Sequence, residues 1–550
     1  MVRGLVGALA GLSFGLSALS FGLSAQSLVL DNVTGYGWQG DKLVPFSRLV
    51  IEDGKVLARG DNRLAIPQGA EVRDLAGKTV LPGLIDAHGH VMALGEGTLN
   101  VDLTGAKSLA DALSRVARFA KKHPKLPWIQ GWGWNQELWP DKRMPTASDL
   151  AMLTDGRPVW LSRVDGHAGW ANQAALTLAG INAKTPEPSG GQILRGRDGQ
   201  PSGVLVDNAM NLMTAHLPQL SDALRGQALD AALGIMAKVG LTGVGDAGVD
   251  LPTWQLYQQR QASLTTRIYA MLEAKPATWQ AVKAPIGWQG SDLLAARAVK
   301  VFADGALGSR GAAMLADYSD KPGHKGSMLY GPGELEKVMR AAFDAGFQVN
   351  VHAIGDAANQ RVLDTFASFP PSERKGRRNR IEHAQVMTLG DIERMAKLGV
   401  IASFQPTHAT SDMNMAQSRI GKDRLKGAYA WRSLVKAGVK MAAGSDFPVE
   451  SPNPFYGLYA AVTRQDHHGQ PKEGWHKEQA LTREEALYDF TRGAAYAAFM
   501  DKFTGSLAPG QWADLVILDD DYFTVPDSDI WQLKPRETWL AGKAVYRRVE

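Results

Sequence analysis

The chain has no cysteine among its 550 residues. That excludes disulfides, a thiolate nucleophile, a cysteine-ligated zinc site and a lipid-modified cysteine anchor. A chain of this length has a core large enough to hold without disulfides. It also lacks a strong charge bias: the formal net charge is +4, and no basic cluster dominates. This argues against nucleic acid as the main partner. The local run Arg374-Lys-Gly-Arg-Arg-Asn-Arg380 reads as a solvated loop before a strand. No repeats or low-complexity tracts stand out after residue 25. With 45% hydrophobic and 21% charged residues, what remains is an ordinary globular composition.

Residues 4–25 carry no charge, Arg3 precedes them, and Leu-Ser-Ala25 before Gln26 resembles a cleavage site. The run is long enough to span a membrane, but it is rich in Gly, Ser and Ala. We read residues 1–25 as a cleaved signal peptide, with an uncleaved anchor as the alternative. This implies a periplasmic or secreted protein with no stable membrane span after cleavage.

Residues 26–80 and 505–550 share a texture of short strands and turns, such as 27–31, 48–52 and 513–518. They read as one small β-sandwich domain built from both termini. Between them, in 81–504, strands alternate with helical stretches, the pattern of an α/β fold with a parallel sheet or barrel. Strand-like runs fall at 81–87, 241–245, 267–272, 298–303, 347–351, 380–382, 400–404 and 439–443. Their number is that of a (β/α)8 TIM-like barrel. The gap at 100–220, after the first strand, is too long for a bare loop and reads as an inserted subdomain.

Polar residues sit where these mostly apolar strands should have none. Val80-Leu-Pro-Gly-Leu-Ile-Asp-Ala-His-Gly-His90 ends in a His-x-His pair. Alternate strand residues share a face, so His88 and His90 can chelate a metal together. Lys300 lies inside the fourth strand, while His352, His383 and Asp446 end the fifth, sixth and eighth. All should converge at the C-terminal mouth of the barrel, where active sites of that fold lie. Taken singly, each has a bland explanation, such as a core histidine, a helix N-cap or a snorkelling lysine. Five independent coincidences at one end of successive strands are a poor account.

Several further motifs accompany these: Gly131-Trp-Gly-Trp-Asn135, Asp165-Gly-His-Ala-Gly-Trp-Ala-Asn172, Lys300-Val-Phe-Ala-Asp-Gly-Ala-Leu-Gly-Ser-Arg310, His352-Ala-Ile-Gly-Asp356, Ile381-Glu-His-Ala384 and Gln405-Pro-Thr-His408. With them the chain resembles the amidohydrolase superfamily over about residues 45–520. It is similar to the amidohydrolase 3 branch that contains N-substituted formamide deformylases. The resemblance implies two divalent metals, with zinc favoured and manganese, iron or cobalt as alternatives. It implies ligands His88, His90, His352 and His383, with a carboxylated Lys300 as the bridge. A bare ammonium would repel the cations, whereas a carbamate offers two anionic oxygens. The alternative is one metal and an unmodified lysine. Asp446 is then expected as a metal ligand and general base.

Glu382 and Asp86 are candidates to orient ligands. His167, His408 and Arg310 are candidate substrate-binding groups, Arg310 for a substrate carboxylate. Trp134, with Trp132, Trp139 and Trp170, is a candidate apolar wall. His467, His468 and His476 are given no role. The expected reaction is hydrolysis of a non-peptide C–N bond in a small-molecule N-acyl or N-formyl amine. A cyclic amide or an ester or lactone is the near alternative; a non-catalytic binding protein or a metal-dependent isomerase is the alternative of another class. The β-domain and barrel surface could host a homodimer, though nothing in the sequence requires one.

Overall fold

The computed structural model describes residues 27–151, 153–218 and 220–549. The signal segment expected over residues 1–25 lies outside the described residues. No helix among the described residues is long and apolar enough to cross a membrane.

Eight parallel strands follow one another around a barrel: Leu84–Gly89, Leu241–Val249, Arg267–Glu273, Leu294–Phe302, Gln348–Ala353, Arg380–His383, Ile401–Phe404 and Met441–Ala443. Below they are the first to eighth barrel strands. The eighth returns to the first through a short seam. The Asp446 N–H donates to the His88 carbonyl at 2.7 Å. Ser445 donates its N–H and its hydroxyl to the Asp86 carboxylate, at 3.0 and 2.6 Å.

Strand periodicity explains why polar residues occur here. In the fourth strand Val299 and Val301 face the outer helices, packing in the same cluster as Met339 and Phe343. Lys300, between them, must point inward. The fifth strand repeats this, with Val349 and Val351 outward. Asn350 and His352, fully or almost fully buried, alternate with them. Helices Leu389–Leu398 and Trp431–Ala437 end at Gly399 and Gly438, both left-handed at φ 67° and 78°. These glycines turn the chain sharply into the seventh and eighth strands.

A second sheet joins the two ends of the chain. Thr79–Pro82 pairs with Leu28–Gln39 on one side and with Leu515–Leu518 on the other. Leu30, Leu49, Ile51, Val80, Leu515, Ile517 and Trp539 form its core. It is pinned to the barrel by a fully buried ion pair: Arg267, opening the third barrel strand, donates to Asp514 at 2.7 and 2.9 Å. Asp514→Ala would leave the guanidinium buried without its counter-charge. We expect a loss of about 3–5 kcal/mol, read as a lower urea midpoint, against little change if the pair were dispensable.

The segment after the first strand carries a six-stranded sheet, from Val101–Asp102 to Pro201–Asp207. Trp134, Trp139 and Trp170 are fully buried in its core with Val116, Leu150 and Leu161.

Candidate active site

A cavity of about 820 Å³ opens at the C-terminal ends of the barrel strands, beneath the inserted sheet. His88, His90, Lys300, His352, His383, His408, Asp446 and His167 all line it.

Hydrogen bonds orient the imidazoles from behind. His88 Nδ1 lies 2.5 Å from Glu382 Oε2, His90 Nδ1 2.8 Å from the Ala247 carbonyl, and His383 Nδ1 2.7 Å from Gln405 Oε1. Each acceptor fixes the Nδ1–H tautomer and leaves an Nε2 lone pair for the cavity. The Nε2 atoms of His88 and His90 are 3.3 and 3.0 Å from Asp446 Oδ1. Ligand atoms of His88, His383 and Asp446 all lie within 4.8 Å of one another. His352 flanks this cluster, its ring 4.5 Å from that of His383 and its Nε2 3.4 Å from the Gly305 carbonyl. His383 and Asp446 are held at φ 76° and 61°. Such left-handed conformations cost non-glycine residues about 1–3 kcal/mol each, which the barrel must offset.

The electrostatics suit a cation. Burial lowers His88 to about 4 and holds His352 and His383 well below the ordinary imidazole value. Burial thus favours the neutral form of each, while the Asp446 carboxylate pulls His88 and His383 the other way. Burial alone would raise the Asp446 carboxyl, but His88, His90 and His383 hold it well below its usual range. Burial likewise opposes charge on Glu382, yet Arg380 and His88 keep it ionised. Arg380 donates to Glu382 Oε2 at 2.8 Å and to Ser403 Oγ at 2.8 Å. Lys300 is fully buried, its Nζ has no hydrogen-bond partner, and burial lowers it to about 8. Its amine lies 3.7 Å from the Phe302 ring centroid. His88 Nε2 is also buried without a hydrogen bond. Neutral nitrogens with free lone pairs around one carboxylate form a donor set that fits a divalent metal.

Glu382 carries two duties, orienting His88 and neutralising Arg380. Glu382→Gln should weaken divalent-metal affinity about 10- to 100-fold in a metal titration. It should also cost about 3–5 kcal/mol in unfolding, because Arg380 loses its counter-charge. Unchanged metal affinity would reduce Glu382 to a structural group. Asp86 acts on backbone instead: besides Ser445, its carboxylate accepts the His88 N–H at 3.0 Å. Burial raises this carboxyl to about 7.

His167 stands opposite, its ring 5.1 Å from His352, with Nδ1 2.7 Å from Asp207 Oδ1. Burial disfavours its protonation, but Asp207, Asp165 and Asp304 together raise it above the ordinary imidazole value. His408 stacks on His383 at 5.7 Å and 14°, with Nε2 3.7 Å from Asp446 Oδ2.

Two expected substrate groups are not brought to the cavity. Arg310 pairs its guanidinium with Asp320 at 3.1 and 3.0 Å and does not line the cavity. Trp134 is consumed in the core of the inserted sheet, its indole N–H donating to the Leu161 carbonyl at 2.8 Å. Of the four tryptophans considered, Trp132 alone lines the cavity. Sequence reasoning missed Arg163, Asp207, Asp412 and Glu450, all of which line it. Arg163 and Asp207 end strands of the inserted sheet, Asp412 ends the helix after the seventh barrel strand and Glu450 lies in the connection after the eighth.

A family model described as amidohydrolase family matches residues 71–546. Protein LONG AFTER FAR-RED 3 of Arabidopsis thaliana is 34% identical, over 92% of this chain and 89% of that protein. The N-substituted formamide deformylase of Arthrobacter pascens is 30% identical, over 92% of this chain and 94% of that protein. Among solved structures, an uncharacterized metal-dependent hydrolase from Pyrococcus horikoshii OT3 superposes with a TM-score of 0.73 at 28% identity, covering 91% of this chain and 99% of that one. Barrel, strand-end imidazoles and sequence relationship agree: the chain belongs to the amidohydrolase family.

Proposed function

We propose that the protein is a metal-dependent hydrolase that cleaves a non-peptide C–N bond, in an N-acyl or N-formyl amine. The observation that carries this reading is the cluster of His88, His383 and Asp446, whose donor atoms face one another at the barrel mouth. Likeness to the formamide deformylase and to the Pyrococcus metal-dependent hydrolase supports it.

In this reading His88, His90, His352, His383 and Asp446, with a carboxylated Lys300, would hold two divalent metals, most simply zinc. Lys300 Nζ adds to CO2, forming an N–C bond and releasing one proton. The resulting carbamate would turn the buried, unpartnered amine into an anionic group with two oxygens able to ligate metal. Bound metal supplies Lewis acidity toward water and toward the substrate carbonyl. Asp446 remains ionised beside the imidazoles, accepts a proton from the attacking water and returns it to the leaving nitrogen as the C–N bond breaks. His167 and His408 flank the cavity on opposite sides and meet the substrate's polar atoms. The uncharged residues 4–25 support export, so the reaction takes place in the periplasm or outside the cell.

The test is product analysis in ¹⁸O-water with N-formyl and N-acetyl amines and metal-loaded protein. Hydrolysis puts one solvent oxygen into the carboxylate product and releases free amine. A product without ¹⁸O, or no amine from any member, contradicts the proposal.

A further inference from the structure

The charge balance of the cavity points to the class of amide it takes, an inference that rests on the amide-hydrolase reading. Among the described residues the arginines and lysines lining the cavity are Arg163 and Lys300. Lys300 lies at the floor, inside the fourth strand. Arg163 is already engaged: it pairs with Asp165 and donates to Gln136 Oε1 at 2.9 Å and Asn135 Oδ1 at 3.1 Å. Arg310 and Arg419 are drawn to Asp320 outside the cavity lining. A substrate carboxylate therefore finds no uncommitted arginine or lysine above the floor.

The opposite sign is in surplus. Asp412 ends the helix Pro406–Asp412 after the seventh strand, and Glu450 lies four residues past Asp446. Asp412 Oδ2 accepts from the Tyr429 hydroxyl at 2.7 Å and from Gln385 Nε2 at 3.1 Å. Glu450 Oε1 accepts from the Ser411 hydroxyl at 2.6 Å. Neither carboxylate has an arginine or lysine ion-pair partner among the described residues. Burial raises both carboxyls, and the hydrogen bonds from Tyr429 and Ser411 act in the opposite direction. A second observation marks the same wall. His408 is 9% exposed, lines the cavity, and its Nε2 has no hydrogen-bond partner. Buried polar atoms are ordinarily satisfied, so an orphan nitrogen facing a cavity is a place for a ligand atom.

We propose that the cavity selects amides bearing an organic ammonium group, held against Asp412 and Glu450, and rejects amides bearing a carboxylate. The monoacyl derivatives of diamines are thus favoured and N-acyl amino acids excluded. Specificity of this kind needs both an attractive and a repulsive element, and the same two carboxylates supply both.

The experiment uses three N-acetyl compounds of matched chain length: a monoacetylated diamine, an amino alcohol derivative and an amino acid derivative. With metal-loaded protein, kcat/KM should fall in that order, by roughly 10- to 100-fold between the first and the last. In Asp412→Asn/Glu450→Gln the ratio of cation to anion should shrink to within about 3-fold. Glu450→Gln alone serves if the double variant does not fold. Equal turnover of the carboxylate and ammonium compounds overturns the proposal, as does a ratio unchanged in a folded variant. If no compound is hydrolysed, the reaction assigned to the site fails, while calorimetric affinities of the same three compounds still read the charge preference. Tighter binding of the ammonium compound sustains it; equal or absent binding overturns it.

Discussion

Asp446→Asn is expected to lower kcat by about 1000-fold while most of the metal stays bound. Asparagine keeps the size and one oxygen of the side chain but cannot take a proton from water. It also tolerates the left-handed backbone found here at φ 61° better than most residues, so the fold should persist. The backbone link from residue 446 to the His88 carbonyl is untouched by the substitution. Turnover and metal content measured on one preparation separate the two duties of this residue. Heavy metal loss would make Asp446 chiefly a ligand, and near-normal turnover would remove it from the chemistry.

Lys300→Ala should lower kcat/KM by about 100- to 1000-fold, with part of the activity returning when a short carboxylic acid is added. The acid would occupy the space vacated by the side chain and supply two oxygens in place of the carbamate. A second readout distinguishes a functional lysine from a structural one. An ammonium buried without a hydrogen bond is costly, by several kcal/mol. The metal-free variant should therefore unfold at a urea concentration no lower than the metal-free parent. A clear loss of stability, with activity intact, would mean that Lys300 packs the barrel and bridges nothing.

The barrel was legible because its strands are buried on both sides and read as short apolar runs. The inward-facing residues able to ligate a metal gathered at one end of those runs. His88, Lys300, His352, His383 and Asp446 could thus be placed at one mouth before any contact was known. Glu382 was within reach of the same argument, being adjacent to His383 and inside a strand. Arg310 was not, because a guanidinium after a glycine-rich turn looks the same whether it meets a ligand or Asp320. Trp134 failed for a related reason. The Gly-Trp-Gly-Trp run shows alternation but not which face is the core. The structure buries Trp134 and turns Trp132 to the cavity. Asp412 and Glu450 had no signal at all. They lie in connections beyond strand ends, and only the folded barrel brings them around His408.

The measurement that bears most directly on this account is the metal content of the purified chain, by elemental analysis, beside the intact mass of the same sample under non-denaturing conditions. About two divalent metals per chain and the added mass of one CO2 are expected, the added mass being lost in Lys300→Ala. A chain that takes up no stoichiometric metal after reconstitution with zinc, manganese, iron or cobalt would contradict it.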